Sequence, residues 1–198
     1  LTFVALEDES QKQGFSEHFL MTVKARDLPP SYIRIDKEGV WYYKGVEMFR
    51  REIVNLFYQN LHLDESGGYY IQYANDIASV EVEDTAYVVR SVYHTGLEAG
   101  GDEKINIRLN DDSCEELAPE TLRIGRENVL YCAVKEKRFP ARFLRASYYQ
   151  MADYFAQEEG RADFFLALNG QKYYIGDQKS KDRDQVPGGS EDRSLGPG

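Results

Sequence analysis

The chain has 198 residues, 42% apolar and 29% charged, enough for one domain or for two small ones sharing a core. Acids outnumber bases, 34 to 24, and the formal charge of -10 argues against a broad phosphate-binding surface and so against a nucleic-acid binder. No apolar run reaches membrane-spanning length, no basic-then-apolar leader is visible, and two cysteines, Cys114 and Cys132, make neither a disulfide scaffold nor a closed zinc site.

The chain as given opens on Leu1 and not on Met, so its start is expected to be that of a fragment or to be trimmed. Residues 1–27 are read as a leader, either a short amphipathic helix carried by Phe15, Phe19, Leu20 and Val23 or a partly disordered segment. Asp27-Leu28-Pro29-Pro30 ends any helix there, because a residue before proline is pushed out of the α region. Tyr32-Ile33-Arg34-Ile35 then alternates, Asp36-Lys37-Glu38-Gly39 turns, and Val40-Trp41-Tyr42-Tyr43 returns, which predicts a β-hairpin.

Met48, Phe49, Ile53, Leu56, Phe57 and Leu61 recur at helical spacing and predict an amphipathic helix over 47–61, with a loop from His62 to Gly68. Strands follow at 69–73, 77–83, 87–93 and 105–109, with an exposed loop at 98–103 and a tight polar turn at Asn110-Asp111-Asp112-Ser113. A second hairpin is predicted from 129–134 and 138–143 across Lys135-Glu136-Lys137, with Pro140 requiring an edge or a bulge. Ser147 is read as the cap of a helix to about Glu159, with Met151, Tyr154 and Phe155 as its apolar stripe and Gly160 as its stop. A hairpin over 164–175, turning at Asn169-Gly170, closes the fold.

The two halves share the order strand, turn, strand, helix, loop, strand, and Trp41 falls on Phe139 when they are overlaid. The expected fold is α+β, mostly antiparallel, built from two repeated strand-strand-helix units at 28–97 and 98–176. Residues 177–198 carry only Val186 and Leu195 as large aliphatics and are expected to form a disordered tail.

His18, His62 and His94 lie on different elements without ligand spacing, so neither a metal nor a cofactor is expected. Cys114 precedes Glu115-Glu116, which disfavours a thiolate, and Cys132 sits on a predicted buried strand. Gly67-Gly68 and Gly100-Gly101 lack the context of a phosphate cradle and read as turns. Glu81 and Glu83 share a strand face; such a pair serves acid–base chemistry, holds a cation, or is simply a solvated face.

The candidate ligand-binding residues are Arg50, Glu83, Asp84 and Trp41. Arg50 opens the first helix, where the helix dipole favours no cation, so it either pairs with the Glu83-Asp84 corner or clamps an anionic ligand group. Trp41 either fills the core or stacks on a ligand. Arg138, Arg142 and Arg145 form a further basic set.

Four stretches carry a resemblance: the hairpin Tyr32 to Gly45, the helix Arg50-Arg51-Glu52-Ile53-Val54-Asn55-Leu56-Phe57, the strand pair around Val82-Glu83-Asp84-Thr85-Ala86-Tyr87, and the turn Leu109-Asn110-Asp111-Asp112. In order and spacing they resemble the bacterial domain of unknown function 1285 family over about residues 28–176. Its first-turn Asp is Glu38 here, its Ala-Pro is Thr85-Ala86, and its Thr-Pro-x-Glu reads Tyr73-Ala74-Asn75-Asp76. The resemblance implies an α+β fold of repeated motifs and a role in signal transduction or ligand sensing, and supplies no catalytic residues.

The function expected is that of a non-catalytic cytoplasmic module, monomeric or homodimeric, with a cleft where the two units meet. It would bind a small molecule or a protein, not nucleic acid or a membrane. The alternative is a small carboxylate-dependent hydrolase-like enzyme working through Glu81 and Glu83, or Glu83 with Asp84.

Overall fold

The hairpin that opens the fold is set by one side chain. Strands β1 (Pro30–Ile35) and β2 (Trp41–Tyr43) pair antiparallel, with Ile35 opposite Trp41. In the turn between them, Asp36 Oδ1 accepts the amides of Glu38 at 3.0 Å and Val40 at 2.9 Å, and Oδ2 accepts the Tyr42 hydroxyl at 3.0 Å. Gly39 completes the turn at φ +76°, a backbone conformation that side chains with a Cβ resist. These contacts come from a computed structural model that describes residues 23–96, 102–158 and 164–177. Phe15, Phe19, Leu20 and His18 of the leader, Gly100-Gly101, Gly160, and Val186 and Leu195 of the tail lie outside the described residues.

The first sheet has strand order β3-β2-β1-β6-β5-β4, with β3 at Val46–Glu47, β4 at Leu61–Leu63, β5 at Tyr69–Tyr73 and β6 at Asp76–Val82. All pairings are antiparallel except β1 with β6. Helix α1 spans Arg51–Gln59 and is shorter than the helical spacing predicts. The sheet takes the difference at both ends. Val46 and Glu47 pair with β2, the Met48 amide donates to Trp41 O at 2.8 Å, and Leu61–Leu63 is a strand and not a loop. Phe49, which the spacing places on the apolar stripe, is exposed ahead of the helix.

Residues 83–86 cross from this sheet to the second, whose order is β16-β10-β11-β12-β7-β8-β9. Its strands are β7 (Tyr87–Thr95), β8 (Lys104–Leu109), β9 (Cys114–Glu116), β10 (Arg123–Ile124), β11 (Leu130–Val134), β12 (Phe139–Phe143) and β16 (Gly176–Asp177). Strand β7, which the sequence groups with the first unit, thus pairs inside the second sheet.

Pro140 is tolerated in interior strand β12 for a local reason. The Arg142 amide points toward Thr85 Oγ1, at 3.2 Å, so the nitrogen two residues earlier points the same way, and β7 pairs only from Ala141 onward. Past Val89, β12 ends and helix α2 (Arg145–Ala152) takes its place beside β7. Val89 O accepts the Ser147 hydroxyl at 2.6 Å, and the Val92 amide donates to Gln150 Oε1 at 2.8 Å. Ser147 is therefore a buried linker and not the helix cap, a position that Leu144 holds. The helix also ends earlier than predicted, because β13 (Phe155–Gln157) pairs with β14 (Phe164–Leu168), which pairs with β15 (Gln171–Tyr174) in a three-stranded sheet.

The described residues thus make an α+β fold of mixed sheets with two α-helices. Hairpin, helix and meander recur in order, but their pairing differs. Strand β6 returns parallel to β1, whereas β15 stays in its own sheet and the second hairpin joins β7 through β12.

One contiguous apolar cluster runs through both large sheets. Trp41 is 2% exposed, stacked on Phe57 at 6.0 Å and edge-on to Tyr58 at 4.8 Å. Buried beside it is a polar side chain, Asn110, 1% exposed. Its Oδ1 accepts the Val88 amide at 3.0 Å, and its Nδ2 reaches Gly39 O at 3.2 Å, Ala86 O at 3.1 Å and the Tyr58 hydroxyl. Tyr58 in turn donates to Ala86 O at 3.1 Å.

Replacing Asn110 by Ala orphans several buried backbone groups at once and is expected to lower unfolding stability by about 3 kcal/mol or more. Urea unfolding checks this, and a loss below about 1 kcal/mol would show that the network is not structural. Trp41→Ala is expected to lose roughly 3–5 kcal/mol in the same assay.

A pH dependence follows from Asp64. Desolvation pushes its carboxyl up, but hydrogen bonds from the Ala25 amide, the Ser66 hydroxyl and the Gly68 and Ser66 amides outweigh it and hold it at about 2. The folded value is depressed, so its stabilisation is present above about pH 4 and is lost as pH falls toward 2. Asp64→Asn should therefore lower the melting temperature at neutral pH and change it little near pH 2. An equal loss at both pH values would contradict the assignment.

Candidate functional site

The four sequence-predicted site residues fall in four different settings. Trp41 is sealed in the core under α1. Arg50 is exposed at the N-cap of α1 and makes no ion pair among the described residues. Glu83 lies 3.6 Å from Arg34 on β1. Asp84, one residue on, turns the other way. It accepts the Tyr131 hydroxyl at 2.9 Å and pairs with Arg142 at 2.9 Å, while Arg123 lies over the Tyr131 ring at 4.6 Å. Burial, then the Asp84 carboxylate, pushes the Tyr131 phenol up, so it remains a donor. The structure does not bring Arg50 to Glu83 or Asp84; the carboxylates are held by Arg34 and Arg142.

The partner expected for the first-helix arginine exists one residue later. Arg51 bonds Asp112 and also donates to Asn110 O at 3.1 Å. Arg51, Val54 and Tyr58 are spaced three and four apart and share the face turned to the β8 end, a periodicity that is present in the sequence.

Among the described residues, the two histidines and two cysteines lie apart from one another in separate settings. His62 stacks on Tyr70 at 5.0 Å, and burial, with a smaller push from Arg138, lowers its imidazole. His94 lies 4.9 Å from the Tyr154 ring. Cys114 is exposed, and burial pushes the Cys132 thiol up. Among the described residues no three His, Cys, Asp or Glu side chains are placed to hold a metal, and no helix is long and apolar enough to cross a membrane.

What local patterning missed is a groove of about 470 Å³ on the outer face of the first sheet. It is lined by Tyr32, Arg34, Lys44, Ser79 and Glu81, with Pro30 at one end. It owes its shape to an irregularity in β1. The parallel register with β6 breaks between Pro30 and Arg34, and Tyr32 adopts φ +61° inside the strand. A bulky residue in the left-handed region is strained by about 1–2 kcal/mol.

Neighbouring bonds hold the kink. The Ser31 hydroxyl donates to Ser79 O at 2.6 Å and accepts the Ile33 amide at 3.0 Å, and the Lys44 amide donates to Tyr32 O at 2.9 Å. The result turns the Tyr32 ring outward, 61% exposed, with the Lys44 ammonium 5.5 Å from its centroid and 5.3 Å from that of Tyr43. Arg34 is steadied between the Tyr42 ring, at 4.5 Å, and Glu83. Glu81 lines the groove and Glu83 does not. Ser31-Tyr32-Ile33 reads as ordinary alternation, so no local signal announces the kink.

Comparison with known proteins agrees with this architecture. Residues 27–85 match the model of a family described as "Domain of unknown function (DUF1285), N-terminal domain", a span that holds the whole first sheet and α1 and ends in the crossing. No curated protein matches the chain. Among solved structures, a DUF1285 family protein from Silicibacter pomeroyi DSS-3 is similar at a TM-score of 0.61 and 19% identity, covering 81% of this chain and 91% of that one. A DUF1285 family protein from Shewanella baltica OS155 is similar at a TM-score of 0.50 and 18% identity, covering 63% and 91%. Residues 27–85 thus match the N-terminal domain of the DUF1285 family, whose function is unknown, and the chain shares its fold with two solved proteins of that family.

Proposed function

We propose that the chain is a non-catalytic binding module that takes a small anionic ligand with a planar apolar body in the Tyr32 groove. The observation that carries this reading is the strained conformation of Tyr32. Strain in a bulky residue persists where surrounding bonds enforce it, and it collects at binding sites because it presets a geometry the ligand needs. Here it holds an aromatic face open to solvent beside an ammonium group, with a guanidinium on the same wall. An aromatic carboxylate would stack on Tyr32 and set its charge against Lys44.

The groove lies within the first sheet and not between two repeated units, and a repeat is not needed for it. The sensing role fits the position of Arg34. That side chain lines the groove and also holds Glu83, the first residue of the crossing, next to Asp84 with its Tyr131 and Arg142 partners. A ligand that draws Arg34 away would release the crossing and so reach the second sheet. In this reading Glu83 and Asp84 act behind the site, and Trp41 supports it from the core.

The test is a thermal-shift and NMR screen with aromatic carboxylates against the wild type, Tyr32→Gly and Lys44→Met. Tyr32→Gly is expected to keep stability within about 1 kcal/mol, because relief of the strain offsets the added flexibility of glycine. Both variants should lose the compounds that bind the wild type. Binding that survives in Tyr32→Gly would remove the groove from consideration.

A further inference from the structure

A second charged constellation lies away from the groove, at the turn after β8. Asp112 sits there at φ +66° with three arginines around its carboxylate. Arg51 bonds Oδ2, while Arg90 Nη1 and Arg108 Nη2 lie 3.8 Å and 3.9 Å from Oδ1. The Arg51 bond is the first cause that holds the Asp112 carboxyl below its usual range; desolvation opposes it, and the other two arginines add to it.

The set is over-supplied with positive charge. One carboxylate against three guanidiniums leaves a formal excess of two, in a chain whose total is -10. The neighbouring acid does not cancel it, since Asp111 is matched by Lys135 at 2.7 Å. Glu52, which follows Arg51, makes no ion pair with the set among the described residues. Arg51 alone satisfies the structural need, because it also ties α1 to Asn110 O. The Arg90 and Arg108 side chains stand beyond hydrogen-bond distance of Asp112 and make no side-chain hydrogen bond among the described residues, so their donor forks are unspent.

Their placement is built into the sheet. The register of β7 on β8 shifts so that Val89 faces Leu109 and Ser91 faces Arg108, which makes Arg90 the additional residue of a bulge. Bulges of this kind re-aim a side chain. The Arg90, Arg108 and Arg51 side chains are each half exposed, at 44%, 54% and 42%. Holding like charges together at a surface is unfavourable, and a phosphate group offsets it with about two negative charges and several acceptor oxygens.

We propose that Arg51, Arg90 and Arg108 form an anion site for a small phosphate-bearing molecule, with Asp112 as an internal counter-ion that lines the arginines up and limits affinity. The proposal stands apart from the groove and does not depend on its ligand.

The test titrates the full chain with pyrophosphate, orthophosphate and acetate at low ionic strength and neutral pH, read by calorimetry and by arginine side-chain NMR. Saturable binding of pyrophosphate is expected, weaker for orthophosphate and undetectable for acetate. Asp112→Asn removes the competing charge and should tighten pyrophosphate by about tenfold, while Arg90→Gln and Arg108→Gln should each weaken it by a similar factor. Lys37→Ala removes a positive charge outside the set and serves as the control for bulk electrostatics. Arg90 and Arg108 are surface side chains, so their variants fold and keep the test decisive even if Asp112→Asn does not. The proposal is overturned if wild type and Arg90→Gln bind pyrophosphate equally, if Lys37→Ala weakens it as much as Arg90→Gln, or if no saturable binding is seen.

Discussion

The fold depends on one buried amide. Asn110 lies where water cannot reach, so its oxygen and nitrogen must find partners within the protein, and a half-satisfied amide in that position would be worse than none. Its partners come from the hairpin turn, α1, the crossing and β7. Geometry makes the arrangement exclusive. A Cβ on Gly39 would stand 2.3 Å from Asn110 Nδ2 and 3.0 Å from Val88 Cγ2, at a φ that already disfavours one. The turn therefore takes glycine for two separate reasons, and the first sheet is fixed on the second through this contact.

The same residue organises the surface beyond it. Asn110 opens the turn to Ser113, so anchoring its side chain anchors the two aspartates that follow. Asp111 takes Lys135, whose ammonium also bonds the Ser113 hydroxyl and lies 5.3 Å from the Tyr87 ring. Lys135 begins three successive residues with positive φ, 54°, 60° and 64°, and its amide donates to Glu115. A strained turn of three non-glycine residues persists because the ion pair and the Glu115 carboxylate grip its first residue. Asp112 takes the opposite side and meets α1. A single rigid turn thus sorts two adjacent carboxylates onto two separate basic partners.

What could be read from the sequence is what neighbouring residues decide among themselves. The first hairpin, strand 105–109 and the hairpin at Asn169-Gly170 carry their turn chemistry and alternation within a dozen residues, and all are present. Non-local pairing decided the rest. Met48 and Phe49 have helical spacing, but Val46 and Glu47 are held by β2. Tyr154 and Phe155 fit a helical stripe, but β13 needs that segment to pair with β14. Two-residue strands such as β10 and β16 have no periodicity to detect. The site shows the same division. The arginine of the first helix that meets an anion is Arg51 and not Arg50, and its partner 61 residues away is visible only in three dimensions.

The kink at Tyr32 and the anchor at Gly39 belong to the same hairpin, and that connection explains how the strain survives. A free two-stranded ribbon would relax a left-handed tyrosine by slipping its register, since an isolated hairpin is only marginally stable. Here slippage is blocked at the turn, because moving Gly39 would break its contact with Asn110 and expose polar groups that have no water to replace them. It is blocked again on the other side by β6, where Ser31 substitutes its hydroxyl for the regular ladder. With both routes closed, the misfit between β1 and β6 has nowhere to go but into the backbone of Tyr32. The outward ring, the groove beneath it and the Lys44 amide bonded to Tyr32 O are consequences of that confinement. The buried amide therefore fixes more than the relation of the two sheets: it holds the far end of the hairpin in the one register that keeps an aromatic face turned to solvent.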